Sequence, residues 1–184
     1  RAMKVERTFV FVDLSGFTKY TADNGDTSAG NVLTKFRAEV RDVAANWGIR
    51  VDKWLGDGCM IVSVEQELAI GFALDMRKRC EDVCRPLTVR IGLATGEVLM
   101  FQGEDYIGTS VNLASRLCDV ADNNEVLISR ADIRRLPIGV TENNHDNVVL
   151  RGLGEVEVVN LTAQDKIGGN NDTGELWTRS PFVA

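Results

Sequence analysis

Histidine is nearly missing from this chain: His145, in a polar stretch, is the single one among 184 residues. That scarcity excludes histidine-based catalytic triads and metal sites built on several imidazoles. Positive charge is in short supply too. Lys and Arg number 21 against 27 Asp and Glu, a formal net charge of −6, and no basic stripe of the kind that tracks a nucleic-acid backbone is visible. No run of about 18 apolar residues occurs, so no membrane span is expected, and no secretory signal opens the chain. The four cysteines, Cys59, Cys80, Cys84 and Cys118, lack zinc-type spacing. Cys80 and Cys84 lie four apart in a helical pattern and read as small apolar residues on one helix face. Cysteine usage of this reduced type, without a signal, places the expected location in the cytoplasm. Carboxylates, cations and backbone are left to do any chemistry. A small polyanionic ligand stays within reach, because a few local cations and a divalent metal suffice to hold one.

With 44% apolar and 26% charged residues, the chain is long enough for one compact domain. Strand-like and helix-like patterns alternate. Residues 8–13 read as a strand buried on both faces. Residues 28–47 carry Val32, Phe36, Val40, Val43, Ala44 and Trp47 at helical spacing. Residues 49–55 and 59–64 are short β-type runs around Gly56-Asp57-Gly58, a hairpin signature. Residues 68–84 are again helical, ending before Pro86. A long strand follows over 87–99, a helix over 110–120, a short strand over 126–129 and a last pair of strands over 148–162. The order predicts an α+β fold, a ferredoxin-like βαββαβ sandwich with appended elements. Residues 1–6, beginning Arg1-Ala2-Met3, read as a leader or remnant, so regulatory domains outside the sequence are to be looked for. Residues 7–163 read as the folded domain and 164–184 as a polar, glycine-rich tail.

Three places carry chemistry. Asp13 stands at the carboxyl end of the first strand, where ligands bind in open α/β sheets. Gly16 lets the chain turn, so the N–H groups of Ser15 to Thr18 can face an anion at a helix start. The alternative is that Asp13 or Ser15 merely caps that helix, and the strand taken alone does not separate the two. Asp57 sits in an Asp-Gly turn, which needs no function by itself. In a split βαβ sandwich, however, the first strand and the central hairpin are neighbours. Asp13 and Asp57 can then meet, and a divalent cation is the simplest remedy for their repulsion. Third, Asn112 and Arg116 lie four apart on one helix face. An amide and a guanidinium suit phosphate or ribose oxygens, although an ordinary polar stripe has the same spacing. Arg90 and Arg151 are isolated cations at strand positions, solvated side chains by default.

Together the segments "FVDLSGFT", "DKWLGDG", "RIGLATGEV" and "DYIGTSVNLASRL" give a sequence that resembles a class III nucleotidyl cyclase catalytic domain, in order and approximate spacing, over roughly residues 7 to 162. The resemblance implies that Asp13, Asp57 and the carbonyl of Leu14 bind two divalent cations, Mg2+ or Mn2+. It implies a phosphate-holding turn at Phe17 and Thr18, and a phosphate-binding Arg90. It gives Asn112 the ribose and Arg116 the transition-state charge. It assigns Lys53 and Asp105 to the purine. A lysine donor and an aspartate acceptor match adenine N1 and its 6-amino group, whereas guanylyl cyclases of the family carry Glu and typically Cys there. The implied reaction is therefore ATP to 3′,5′-cyclic AMP and pyrophosphate. Family members work as dimers with interfacial sites, and this chain holds both residue sets, so a homodimer is implied. Lys53 and Asp57 are about 13 Å apart along an extended strand, which agrees with their serving different sites. One departure is clear: Leu153 stands where mammalian relatives have a phosphate-binding lysine, and Arg151 is the nearest cation carried over. The alternative is a catalytically silent nucleotide-binding module of the same fold; such homologues usually lose a metal aspartate or the transition-state pair, and this chain keeps them all.

Overall fold

The structure, a computed structural model, describes residues 1–102 and 105–164. Its elements run β1 (Ala2–Ser15), α1 (Phe17–Asn46), β2 (Arg50–Leu55), β3 (Gly58–Ser63), α2 (Gln66–Val83), β4 (Thr88–Phe101), β5 (Asp105–Ile107), α3 (Thr109–Val120), β6 (Val126–Ser129), β7 (Val140–Asn144), β8 (Val148–Leu150), β9 (Gly154–Val156) and β10 (Val158–Ala163), with a 3-10 turn at Arg130–Asp132. The main sheet has eight strands in the order β2-β3-β1-β4-β6-β10-β7, with β5 paired to β4. Its first four strands are antiparallel neighbours. They are the expected ferredoxin-like core. β6 extends it by pairing parallel to β4, and β8 with β9 forms a separate two-stranded sheet.

Helices cover both faces, which explains the continuous apolar run in β1. Val10, Val12 and Leu14 point to the side of α1 and α2, where they join Phe36, Val40, Val43, Ile70, Phe72 and Met76 in the main core. Phe9 points the other way and packs with Met60, Ala94, Val98 and Ala114 beneath α3. Fully burying one such side chain is worth about 1.5–3 kcal/mol. Gly92 lets α3 lie directly on β4, since a Cβ there would meet the backbone of Ala114, Leu117 and Cys118.

Several boundaries differ from expectation. α1 starts at Phe17, not near residue 28, and bends at Gly25 (φ 86, ψ 167). Its first stretch is mostly exposed, with Phe17 and Tyr20 as the residues turned inward, so it lacks an apolar period to detect. Residues 2–6, expected as a leader, belong to β1 instead: Ala2 pairs with Phe101 and Glu6 with Glu97. Their side chains are largely exposed, which hid the strand from a burial pattern. The segment 148–162 is not one pair. Val148 pairs with Val156 in the small sheet, while β10 enters the main sheet between β6 and β7. The polar β7 carried no apolar alternation to reveal it. Beyond Gln164, the expected polar tail lies outside the described residues.

Candidate active site

Asp13 sits in register with Gly58 of β3 on one side and Arg90 of β4 on the other. Arg90 Nη2 donates to Asp13 Oδ2 at 2.6 Å, and Nη1 donates to the Asp119 carbonyl at 3.3 Å. The turn between β2 and β3 folds back so that Leu14 N–H donates to the Asp57 carbonyl at 3.0 Å. The Asp57 side chain then reaches Asp13. Burial, and after it the charge and hydrogen bond of Asp57, push the Asp13 carboxyl up to about 6, although Arg90 pulls it down. Gly58 makes the approach of the two strands feasible. A Cβ at that position would come within 2.6 Å of the Val12 carbonyl and 3.0 Å of Asp13 Oδ1.

The helix-cap alternative for Asp13 falls away. α1 begins after Gly16 (φ 81) with no side-chain cap, and Ser15 Oγ donates across to Asn123 Oδ1 at 2.7 Å. The first N–H groups of α1 therefore lack a side-chain acceptor. Phe17 buries its ring partly in the core, so its backbone is what faces the turn, and Thr18 is exposed beside it. The Leu14 side chain is buried as well, leaving its main chain as the usable donor.

This donor set fits a hard divalent cation. The carboxylates of Asp13 and Asp57 converge, with Arg90 on the opposite flank of Asp13, and the backbone carbonyl of Leu14 is next in the chain. Among the described residues no group of three or more His, Cys, Asp or Glu side chains gathers around a metal position. The fit thus rests on the carboxylate pair and backbone oxygen. A cavity of about 180 Å3 opens beside it, lined by Asp13, Leu55, Gly58, Cys59, Ser115 and Asp119 among others. It is smaller than the roughly 300 Å3 at which ligand pockets begin. A larger hollow of about 260 Å3 lies toward the other end of β1, around Thr8, Gln66 and Thr95. Its polar groups bond to each other, Thr8 to Thr95 at 2.8 Å and Gln66 Nε2 to Thr95 at 2.7 Å, so we read it as a structural seam.

A second pair forms across the fold. Lys53 Nζ on β2 donates to Asp105 Oδ1 on β5 at 2.9 Å. The hydrogen bond and charge of Asp105 raise the lysine's affinity for its proton. Asn112 and Arg116 occupy the exposed side of α3, where Arg116 Nη1 is 3.9 Å from Asp119 Oδ2. Among the described residues, no hydrogen bond or ion pair joins Asn112 or Arg116 to Asp13, Asp57, Lys53 or Asp105. Arg151 is exposed in the turn between β8 and β9, likewise without a bond to the other site residues.

The adenylate and guanylate cyclase catalytic domain model matches residues 3–163. The chain belongs to that cyclase family. An uncharacterised protein of Mycobacterium tuberculosis is 39% identical over 117 residues, 64% of this chain and 31% of that protein. An adenylate cyclase of Streptomyces coelicolor is 34% identical over 122 residues, 66% of this chain and 32% of that protein. The cyclase domain thus spans about a third of the length of these relatives. The adenylyl cyclase CyaB from P. aeruginosa superposes with TM-score 0.74 at 23% identity, covering 92% of this chain and all of that one (100%). The guanylate cyclase domain of RhGC from Catenaria anguillulae, in complex with GTP, gives 0.76 at 22%, covering 89% and 100%. These likenesses establish the cyclase fold.

Sequence reasoning missed three contacts around the cyclase site: Ser15 to Asn123, Arg90 to the Asp119 carbonyl, and Arg37 of α1, whose Nη2 donates to the Gly56 carbonyl at 3.0 Å. The spacing of Arg37 and Arg41 on one helix face was a detectable signal; the other two contacts left none.

Proposed function

We propose that this domain is an adenylyl cyclase, converting ATP to 3′,5′-cyclic AMP and pyrophosphate at sites shared by two copies of the chain. The observation that carries the choice of nucleotide is the Lys53–Asp105 hydrogen bond of 2.9 Å. It brings one donor and one acceptor together, the set that adenine N1 and its 6-amino group require. Guanine offers the reverse pattern at those atoms.

In the reaction the ribose 3′-oxygen attacks the α-phosphorus in line. The bond from that phosphorus to the bridging oxygen breaks, pyrophosphate departs with the oxygen, and the 3′-hydroxyl proton passes to solvent. Asp13, Asp57 and the Leu14 carbonyl would hold two divalent cations, Mg2+ or Mn2+; when bound, these favour the alkoxide and offset the triphosphate charge. The remaining work belongs to the chain. The N–H groups of Phe17 and Thr18 face phosphate oxygens at the start of α1. Arg90 and Arg151 supply cations to the same phosphates. Asn112 orients the ribose, and Arg116 stabilises charge developing on the transferring phosphoryl group.

Sharing between two copies is supported by the small cavity beside Asp13 and by the outward placement of Asn112 and Arg116. One copy supplies Asp13 and Asp57, its partner the purine-reading and transition-state residues. The test is incubation of purified protein with ATP and Mn2+ or Mg2+, assaying cyclic AMP, with GTP alongside. Asp57→Ala and Arg116→Ala should each be inactive alone and regain activity when mixed, through one intact site. No rescue, with mixed dimers shown to form, rejects shared sites. No cyclic nucleotide from either substrate leaves the silent nucleotide-binding module.

A further inference from the structure

Arg37 does two things at once. Its Nη2 donates to the Gly56 carbonyl at 3.0 Å, and its Cζ lies 5.0 Å from the centre of the Trp54 ring. Arg41, one helical turn on, lies 4.8 Å over the same ring. Neither arginine forms an ion pair with a carboxylate among the described residues. Two like charges at this spacing repel mildly, and the electron-rich face of Trp54 compensates.

The consequence falls on the turn between β2 and β3. Two successive carbonyls of that turn are tied down, Gly56 by Arg37 and Asp57 by Leu14 N–H. Between these anchors the Asp57 side chain is held against Asp13, whose carboxylate repels it. Leu55 and Gly56 are exposed at the hairpin tip, so the tip has room to relax outward once a tether is cut. We propose that Arg37 is a positioning residue for Asp57, holding the turn so that both carboxylates face one divalent cation. This rests on the cation role given to Asp13 and Asp57 above. Arg41 shares the ring but makes no bond to the turn, and is the internal control.

The experiment is direct Mn2+ binding by electron paramagnetic resonance, on the full chain without nucleotide, for wild type, Arg37→Gln, Arg37→Lys, Arg41→Gln and Asp57→Asn. Melting temperatures are recorded for each. Arg37→Gln should weaken Mn2+ binding about tenfold, the scale seen when a residue that orients a metal ligand is lost. Arg37→Lys, with one donor still able to reach the carbonyl, should fall between it and wild type. Arg41→Gln should stay within about twofold of wild type. In the cyclase assay, the Mn2+ needed for half-maximal rate should rise in step for Arg37→Gln. The KM for ATP at saturating Mn2+ should change by less than about twofold. Wild-type binding in both Arg37 variants overturns the proposal. An equal loss in Arg41→Gln overturns it too, by assigning the effect to the stack on Trp54. Wild-type binding in Asp57→Asn overturns the cation site itself, and the role of Arg37 with it.

Discussion

Asp13 and Arg90 face each other across β1 and β4, with Nη2 2.6 Å from Oδ2 and both side chains more than two-thirds covered. The arginine is the counter-charge that lets a carboxylate persist in this half-buried place. Removing it leaves Asp13 without its cation, so the acid holds its proton to higher pH. Arg90→Ala should destabilise the cation-free chain by about 2 kcal/mol, seen as a melting point several degrees lower. Cyclic AMP formation should fall at least about tenfold. Arg90→Lys should recover part of both, because it keeps the charge but loses the fork.

Asp57→Asn should separate stability from activity. The two carboxylates repel, and Asp57 is among the causes that raise Asp13. An amide at 57 can donate to Asp13 instead. Without added metal near neutral pH, the variant should melt roughly 2–4 °C higher, the shift that about 1 kcal/mol produces in a domain of this size. The same variant should lose about a hundredfold or more in cyclase rate. Calorimetry and a product assay on one preparation decide the matter.

Purine choice can be tested at the Lys53–Asp105 pair. Lys53→Glu with Asp105→Cys exchanges donor for acceptor, and should lower the ratio of kcat/KM for ATP over GTP by about tenfold or more. Both side chains are substantially exposed, 48% and 69%, so folding should be little affected. An unchanged ratio would refute the purine-reading role.

His145 predicts a pH dependence of stability. Its Nδ1 lies 2.7 Å from the Asp146 carbonyl and its Nε2 3.2 Å from Glu125 Oε2. The backbone hydrogen bond, then Glu125, raises its pKa above 6.5. A group raised on folding adds stability that is fully present below its unfolded pKa and lost as pH climbs through the folded value. His145→Gln should therefore cost up to about 1 kcal/mol at about pH 5.5 and little near pH 9, read from melting curves at the two pH values.

Much of the fold was legible because its signals are local. The apolar run 8–13, the helical spacing of Phe36, Val40, Val43 and Trp47, and the Gly56-Asp57-Gly58 turn each state their conformation within a few residues. What stayed hidden had polar or exposed side chains: the outer end of β1, the first stretch of α1 and β7. Their order comes from backbone pairing with distant strands, as in Ala2 with Phe101. Of the site, the residue types and the meeting of Asp13 with Asp57 were readable, and the bond from Arg90 to Asp13 was not. Burial and two other side chains decide the state of Asp13, and those lie 44 and 77 positions away, at Asp57 and Arg90.

By itself, then, the sequence determined which chemistry is available. With one histidine and four cysteines without zinc-type spacing, any reaction had to rest on carboxylates, cations and backbone, and Gly16 left the chain free to turn after Asp13. Only the tertiary structure decided which of those groups meet. Arg90 against Asp13, Lys53 against Asp105 and Arg37 against the Gly56 carbonyl each join residues far apart in the chain. Strand register and helix packing bring them within hydrogen-bond distance, and no local pattern of residues encodes a register between strands.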